Sequence, residues 1–131
     1  LAMGPRDLEN KTIEVVRRDT GEKQLVALDN VVSHVEQLMV DIQQNLFNRA
    51  KDFRSANITK VENWDEFLST LKNKGGFISA HWDGTSETED KIKELTKATI
   101  RCIPLDAEQE EGKCVYSGAP SHQRVLFAIA Y

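Results

Sequence analysis

Four residues with metal-binding chemistry stand near two predicted turns in the second half of the chain. "HWDG" at residues 81–84 contains His81 and Asp83, "KCVYSG" at 113–118 contains Cys114, and His122 follows. A small zinc module holds two ligand pairs on turns placed in this way. Structural zinc sites, however, are dominated by Cys and Cys/His sets, so a metal held by this mixed set is the disfavoured interpretation.

The sequence contains no pattern of a complete active site. No phosphate-binding G-x-x-x-x-G-K-[ST], dinucleotide-binding G-x-G-x-x-G or nucleophile G-x-S-x-G occurs. His34, His81 and His122 lie on different predicted elements, and each is more typical of a surface or packed histidine than of a catalytic base. We therefore predict no catalytic residue in this chain.

The composition is typical of a soluble globular protein. Of 131 residues, 40% are hydrophobic and 29% charged, which excludes a mostly disordered chain. The longest apolar run, "VLFAIAY", is too short to span a bilayer, and no signal-peptide pattern is present. We expect a cytoplasmic protein with no membrane partner, in which Cys102 and Cys114 are buried thiols and not a disulfide.

The net charge of −4 is mild and unevenly spread. Residues 1–60 carry nine Lys and Arg against nine Asp and Glu, whereas residues 61–131 carry eight against twelve. Neither half is the strongly basic body of a general nucleic-acid binder. Any contact with RNA must therefore be local.

The first part of the chain has the pattern of a hairpin followed by a long helix. The opening residues are expected to lead directly into strand, and segments 12–18 and 23–28 flank the turn "DTGE". From residue 29 to about 54, apolar residues recur every three or four positions, which predicts a helix of about seven turns with one apolar stripe. Asp29 or Asn30 is the predicted cap, and the stripe needs a partner surface.

From residue 59 the pattern predicts a compact unit of two helices and several short strands. Asn63, with Glu66 three residues on, is typical of a capping box, and a second start signal lies at 86–89. Strands are predicted at "FISAHW", "TIRCIPL", "KCVY" and "QRVLFAIAY". The helix residues expected to face inward are Trp64, Phe67, Leu68, Leu71, Ile92 and Leu95. The predicted fold class is α/β (α+β), with a short mixed or antiparallel sheet in this unit.

Two long stretches resemble one known family. "GPRDLENKTIEVVRRDTGEK" is similar to the closing strands of the class II anticodon-binding domain of prolyl-tRNA synthetases, and "KIKELTKATIRCIPLDAEQEEGKCVYSGAPSHQRVLFAIAY" is similar to their C-terminal domain. The likeness is to the archaeal and eukaryote-like branch of the family and covers essentially the whole chain. It implies that residues 1–58 are the end of an anticodon-binding domain with its long helix, and that 59–131 are the C-terminal domain.

The resemblance implies a parent enzyme that attaches proline to tRNA(Pro) with ATP and Mg, as a cytoplasmic homodimer. Its catalytic domain lies outside this chain, so the chain alone is expected to be inactive and to act with that domain as a partner. An alternative is a free-standing RNA-binding or protein-interaction module of the same fold. A third interpretation, a small metal-binding protein, is disfavoured because cysteines are missing.

The resemblance also identifies degenerate zinc positions. Relatives hold zinc with four cysteines, in a "WCG…CE" pair and a "CxxCG" pair. The matching positions here are Asp83, Thr88, Cys114 and Ser117, so three of the four thiolates are lost. Hydroxyls are poor zinc ligands. We therefore expect the domain to fold without zinc, with hydrogen bonds of Asp83, Thr88 and Ser117 in place of the metal.

Relatives end on a tyrosine whose carboxylate points toward the aminoacylation site, and Tyr131 matches that position. The resemblance implies that Tyr131 is a structural prop or a modulator of the active site and not a catalytic acid. The alternative is that it only closes the sheet at the end of the last strand.

Three arginines are the candidate tRNA contacts. Arg6, Arg17 and Arg18 are expected on the strands of the anticodon-binding portion, where they could contact the RNA backbone. The alternative is that they pair with Asp7, Glu14 and Asp19 on an exposed sheet face.

Overall fold

The computed structural model describes residues 1–130 and divides the chain into two compact units. The N-terminal unit is Leu1–Phe53, and the C-terminal unit begins at Arg54, inside the longest helix. The helices are α1 (Pro5–Asn10), α2 (Val31–Ala56), α3 (Trp64–Asn73) and α4 (Ser86–Thr96). The strands are β1 (Thr12–Val16), β2 (Lys23–Ala27), β3 (Ile58–Lys60), β4 (Phe77–His81), β5 (Ala98–Cys102), β6 (Gly112–Lys113), β7 (Pro120–Ser121) and β8 (Arg124–Ile129). No helix among residues 1–130 has the length and apolarity needed to cross a membrane.

The predicted hairpin is confirmed. β1 and β2 pair antiparallel, and the Arg17 amide donates to the Glu22 carbonyl at 2.8 Å across the turn. Gly21 has a φ of 77°, which glycine adopts without strain. Val15 and Val26 are the buried residues of the two strands. The rest of β1 is half-buried from Thr12 to Glu14 and exposed at Val16, whereas every residue of β2 except Val26 is exposed, so the hairpin is covered at only a few positions.

The expectation that the opening residues lead directly into strand is wrong, because Pro5–Asn10 form the short helix α1. The Gly4 amide donates to the Asp7 carboxylate at 2.7 Å, and proline occupies the first helical turn. Both are ordinary helix-start signals. Lys11, with a φ of 51°, ends the helix immediately before β1.

Helix α2 matches the predicted long helix in position and length. A short 3-10 turn at Leu28–Asn30 precedes it. Its predicted single stripe is only partly covered, since Val35, Leu38 and Ile42 are half-buried while Met39 and Phe47 are 63% and 57% exposed. None of the 26 residues of α2, all of them described, is fully buried. Leu46, Phe47 and Phe53, in the second half of the helix, are all exposed, so the stripe is not covered along its whole length.

The C-terminal unit contains the four-stranded sheet β3-β4-β8-β5. β3 and β4 run parallel, whereas β4 and β5 each pair antiparallel with β8, so the sheet is mixed as the sequence predicts. β8 lies between β4 and β5 and carries Val125 and Phe127, both fully buried. The small β6-β7 ribbon has only two residue pairs.

The core of this unit joins the sheet to α3 and α4. Phe67, Ile78, Ile92, Val125 and Phe127 are each 0% exposed. The rings of Phe67 and Phe127 meet edge to face at 5.3 Å, and the ring of Trp64 stacks on that of Phe67 at 5.2 Å. Aromatic pairs in these arrangements add to the stabilisation from buried area.

Two residues predicted to face inward do not. Leu68 and Leu95 are 40% and 60% exposed. Phe67 sits at the centre of the inward face of α3, so Leu68, about 100° around the helix, is carried off that face. Leu95 is different, because it lies only about 60° around α4 from the buried Ile92 but in the last turn of the helix, where its side chain is exposed.

We expect Phe67→Ala to lower the free energy of unfolding by about 3–5 kcal/mol, because it removes a fully buried ring and leaves a cavity between α3 and β8. Urea denaturation of the chain measures the change. Leu68→Ala, one residue along the same helix and exposed, is the matched control and should cost less than about 1 kcal/mol. Equal losses for the two variants would contradict this description of the core.

Candidate functional site

Asp83 lies directly after β4, in the loop that leads to α4. Its Oδ1 accepts hydrogen bonds from the Thr85 amide at 3.1 Å and the Thr85 hydroxyl at 2.8 Å. Thr85 is also the N-cap of α4, since its Oγ1 accepts from the Thr88 amide at 3.3 Å. Asp83 therefore fixes the residue that starts the helix.

The other carboxylate oxygen of Asp83 joins two separate elements. Oδ2 accepts from the hydroxyl of Thr88, in the first turn of α4, at 2.8 Å, and from the hydroxyl of Ser117 at 2.5 Å. Ser117 is 34 residues away in the sequence. We call this arrangement of Asp83, Thr88 and Ser117 the Asp83 node. It brings together three of the four positions at which the family resemblance implies a degenerate zinc site.

The fourth position, Cys114, begins the turn that carries Ser117. The Cys114 amide donates to the Ala119 carbonyl at 2.8 Å, and the Gly118 amide donates to the Cys114 carbonyl at 3.0 Å. The next residue, Val115, donates its amide to the His81 carbonyl at 3.0 Å, which ties this turn to the end of β4. Cys114 is 3% exposed and free, as expected.

The buried-thiol expectation is wrong for Cys102, which is free but exposed. This residue closes the edge strand β5, next to a register shift between Ile100 and Cys102 in the pairing with β8. An edge strand has a neighbour on one side only, so its last side chain reaches solvent.

The electrostatics of the Asp83 node favour an ionised carboxylate. Burial alone raises the pKa of Asp83, but hydrogen bonds from Ser117, Thr88 and Thr85 outweigh that effect and hold the pKa well below its usual range. The N-terminus of α4 also favours a negative charge at this place. At neutral pH the carboxylate is thus an acceptor only, facing hydroxyl donors.

These residues do not fit a zinc ion. The site offers one thiol, one carboxylate and two hydroxyls, and both oxygens of that carboxylate already accept hydrogen bonds. Within residues 1–130, no three His, Cys, Asp or Glu side chains converge as metal ligands. The structure therefore does not assemble the mixed set of His81, Asp83, Cys114 and His122 either.

His81 is a packed histidine. It is 3% exposed, with its Nδ1 3.1 Å from the Ser121 hydroxyl. Burial, followed by the charge of Arg124, lowers the pKa of His81, which favours the neutral ring. Gly112 lies against the imidazole so closely that a Cβ there would be 2.3 Å from Nε2. The acidic loop, "DAEQEEG" at residues 106–112, can therefore pass over this histidine only with glycine at position 112.

A charged network that the sequence analysis missed lies beside His81. Arg124, 8% exposed, donates to the Val61 carbonyl at 2.8 Å, to the Glu62 carboxylate at 2.6 Å and to the Glu110 carboxylate at 2.9 Å. Lys60 also contacts Glu110, at 3.0 Å. The network fastens the end of the acidic loop to β8 and to the segment before α3. An arginine within an apolar strand was the available signal, but its partners lie in loops whose position no local pattern specifies.

Glu110 should make the stability of the chain depend on acid pH. Hydrogen bonds from Arg124 and Lys60 lower its pKa from 4.5 to about 2. A carboxyl group whose folded pKa is depressed stabilises the fold above its unfolded pKa and loses that contribution as the pH falls through the folded pKa. We therefore expect Glu110→Gln to be less stable than the unmodified chain above pH 4.5, with the difference shrinking toward pH 2.

The measurement is urea denaturation of both proteins at a series of pH values. Glu111→Gln, at the exposed next residue of the same loop, is the control and should follow the unmodified chain at every pH. A pH-independent difference for Glu110→Gln would show that its ion pairs do not contribute as described.

The sequence analysis expects all three arginine candidates on strands. That expectation is wrong, because none of them lies on a strand in the structure. Arg6 is exposed on α1, while Arg17 and Arg18 follow the end of β1. Arg17 pairs with the Asp19 carboxylate at 2.8 Å, and Asn45 of α2 donates to the same carboxylate at 2.7 Å. The alternative to an RNA contact, an ion pair with a nearby carboxylate, thus applies to Arg17, whereas Arg6 and Arg18 are exposed.

The other carboxylates named as arginine partners have different contacts. Asp7 accepts from the Gly4 amide, and Glu14 lies 3.8 Å from the Lys23 ammonium. Tyr131, the candidate close to the active site, lies outside the described residues.

Comparison with known proteins assigns both parts of the chain. A family model described as "Prolyl-tRNA synthetase, C-terminal" matches residues 64–131, and one described as "Anticodon binding domain" matches residues 1–38. The chain is 59% identical to a proline–tRNA ligase of Flavobacterium johnsoniae and 56% identical to one of Christiangramia forsetii, in both cases over all of its 131 residues. A proline–tRNA ligase of Flavobacterium psychrophilum is 53% identical over the same length.

The matched region is a part of each of these relatives. The chain spans 27% of the length of all three. The first family model covers more than half of this chain, and the likeness to the ligases extends along all of it. The chain therefore belongs to the prolyl-tRNA synthetase C-terminal family.

Proposed function

We propose that the chain is the C-terminal segment of a proline–tRNA ligase, the enzyme that attaches proline to tRNA(Pro) using ATP. The observation that carries this proposal is the order of the two family matches, anticodon-binding first and C-terminal second, on a chain matched along its whole length by ligases. ATP and Mg belong to the catalytic domain of the parent. The segment itself supplies architecture and no catalytic group.

The N-terminal unit is the part proposed to contact tRNA. Arg6 and Arg18 are exposed cations in this unit, whereas the charge of Arg17 is engaged by Asp19. Since the unit has no excess of positive charge, its contribution to RNA binding is a small number of backbone contacts.

Further features of the parent are proposed from the resemblance and from the donor set. The parent is a cytoplasmic homodimer of the archaeal and eukaryote-like type, and this segment docks on its own catalytic domain. Zinc is not among its cofactors, because one thiol and an occupied carboxylate do not make a zinc site.

The test of the proposed function is made on the full-length protein that carries this segment. It should charge tRNA(Pro) with proline in the presence of ATP, and Arg6→Ala and Arg18→Ala should each weaken tRNA(Pro) binding several-fold and lower the salt slope by about 1. Filter binding over a range of salt measures both quantities. Lys72→Ala, which removes an exposed cation on α3, is the control and should bind normally.

Full-length protein that does not charge tRNA(Pro) would overturn the ligase assignment. If it charges tRNA(Pro) but the two arginine variants bind like the control, the assignment stands and the proposed RNA contacts are wrong.

We also propose that the Tyr131 carboxylate is a prop or modulator of the parent's active site. The support is the resemblance to relatives that end on tyrosine. Adding one residue after Tyr131 in the full-length enzyme should lower the aminoacylation rate, because the carboxylate is displaced, and should leave the thermal unfolding midpoint nearly unchanged. Unaltered kinetics would favour the alternative that Tyr131 only closes the sheet.

A further inference from the structure

We infer that the Asp83 node takes the structural place of a zinc ion, holding the turn at residues 114–118 against the start of α4 by hydrogen bonds alone, and that thiols at its three positions would create a zinc site. This inference concerns the folding of the C-terminal unit. It is independent of whether the parent charges tRNA.

The turn at 114–118 needs an attachment beyond its own ribbon. β6 and β7 contribute two residue pairs, and so short a hairpin is not stable by itself in water. The turn is held to the rest of the unit by the Val115 side chain, which is buried in the core, by the edge contact of the Tyr116 ring with Trp64, and by the hydrogen bond from the Val115 amide to the His81 carbonyl. On the side of α4, the tie is the hydrogen bond from Ser117 to Asp83.

A single atom, Oδ2 of Asp83, accepts the hydrogen bonds that join the turn to α4. Oδ2 of Asp83 accepts from α4 through Thr88 and from the turn through Ser117. It thereby connects the stretch from Asp83 to Thr88 with a turn 34 residues further along the chain, and joining distant stretches is what a structural metal does in a small domain. Hydrogen bonds to an ionised carboxylate are stronger than those between neutral groups.

The same geometry explains why a few substitutions would convert the node into a metal site. The side chains at 83, 88 and 117 converge on one point, with donor and acceptor atoms 2.5–2.8 Å apart. Cys114 lies three residues before Ser117 in the same closed turn. Two cysteines spaced in this way, with a glycine after the second, form half of a tetrahedral zinc site in small zinc modules.

The two arrangements exclude one another chemically. At neutral pH the hydroxyls of Thr88 and Ser117 keep their protons, and those protons are directed at Asp83. A zinc ion at this point would have to displace both donors and would gain one thiolate and one carboxylate, whereas structural zinc sites have four Cys or His ligands. The node is thus a completed hydrogen-bond cluster and not a partly filled metal site.

The first experiment tests the cross-link in the chain as it exists. Asp83→Asn keeps the size of the side chain but removes the charge that the two hydroxyls face. It should lower the thermal unfolding midpoint by roughly 10 °C and speed amide hydrogen exchange at Gly118 and Ala119. Asp90→Asn, at an exposed position of α4, is the matched control and should change neither quantity.

The second experiment tests the conversion with zinc and with Co²⁺ as probes. Purified native chain should contain no stoichiometric zinc, and the triple variant Asp83→Cys, Thr88→Cys, Ser117→Cys should bind one equivalent and give the absorption spectrum of tetrahedral thiolate-bound Co²⁺. Adding Cys114→Ala to the triple variant should weaken zinc binding at least tenfold.

Four results would overturn the inference: stoichiometric zinc in the native chain, Asp83→Asn that behaves like Asp90→Asn, a folded triple variant without zinc affinity, or a triple variant that stays unfolded with zinc present. None of these readouts uses tRNA, so their failure would leave the ligase assignment intact.

Discussion

The hydrogen bond between Ser117 and the Asp83 carboxylate is the polar contact that joins the turn at residues 114–118 to the start of α4. A unit of this size buries too little apolar surface to fix every loop, and domains below about 70–80 residues often rely on a disulfide or a metal. Here both cysteines are free, and the positions for which the resemblance implies zinc ligands hold Asp83, Thr88 and Ser117 beside the single thiol of Cys114. The Asp83 carboxylate joins the turn to α4 by hydrogen bonds, without a disulfide and without a bound metal.

Besides the hydrophobic core, two polar clusters attach the irregular segments of the unit to its helices and strands. At the Asp83 node a half-buried carboxylate accepts hydrogen bonds from hydroxyl groups. Beside His81, the buried guanidinium of Arg124 donates hydrogen bonds to carboxylates and to a backbone carbonyl. The Arg124 cluster fastens the acidic loop to β8, and the Asp83 node fastens the following turn to α4. Between them, the segment from Glu110 to Ser117, which contains little regular structure, is attached at both ends.

Much of this architecture could be predicted from the sequence because the relevant signals are local. The hairpin, the long helix and the N-cap Asn63, whose Oδ1 accepts from the Glu66 amide at 3.0 Å, each follow from residues close together in the chain. β3 was not predicted because three residues carry no periodicity and its pairing with β4 is parallel. Pro5 and Asp7 are the local signals for the start of α1, but the helix has only six residues, too few to show a helical period before the strand pattern of β1 begins.

The two polar clusters differ in how far the sequence could indicate them. The resemblance to the family was enough to indicate that Asp83, Thr88 and Ser117 belong together, whereas the Arg124 cluster depends on the tertiary positions of Glu62 and Glu110. That hydrogen bonds and not a metal join the turn at residues 114–118 to α4 is best tested by the thermal unfolding midpoint of the native chain before and after exhaustive treatment with a zinc chelator. The account predicts the same midpoint in both samples. A lower midpoint after chelation that added zinc restores would contradict it.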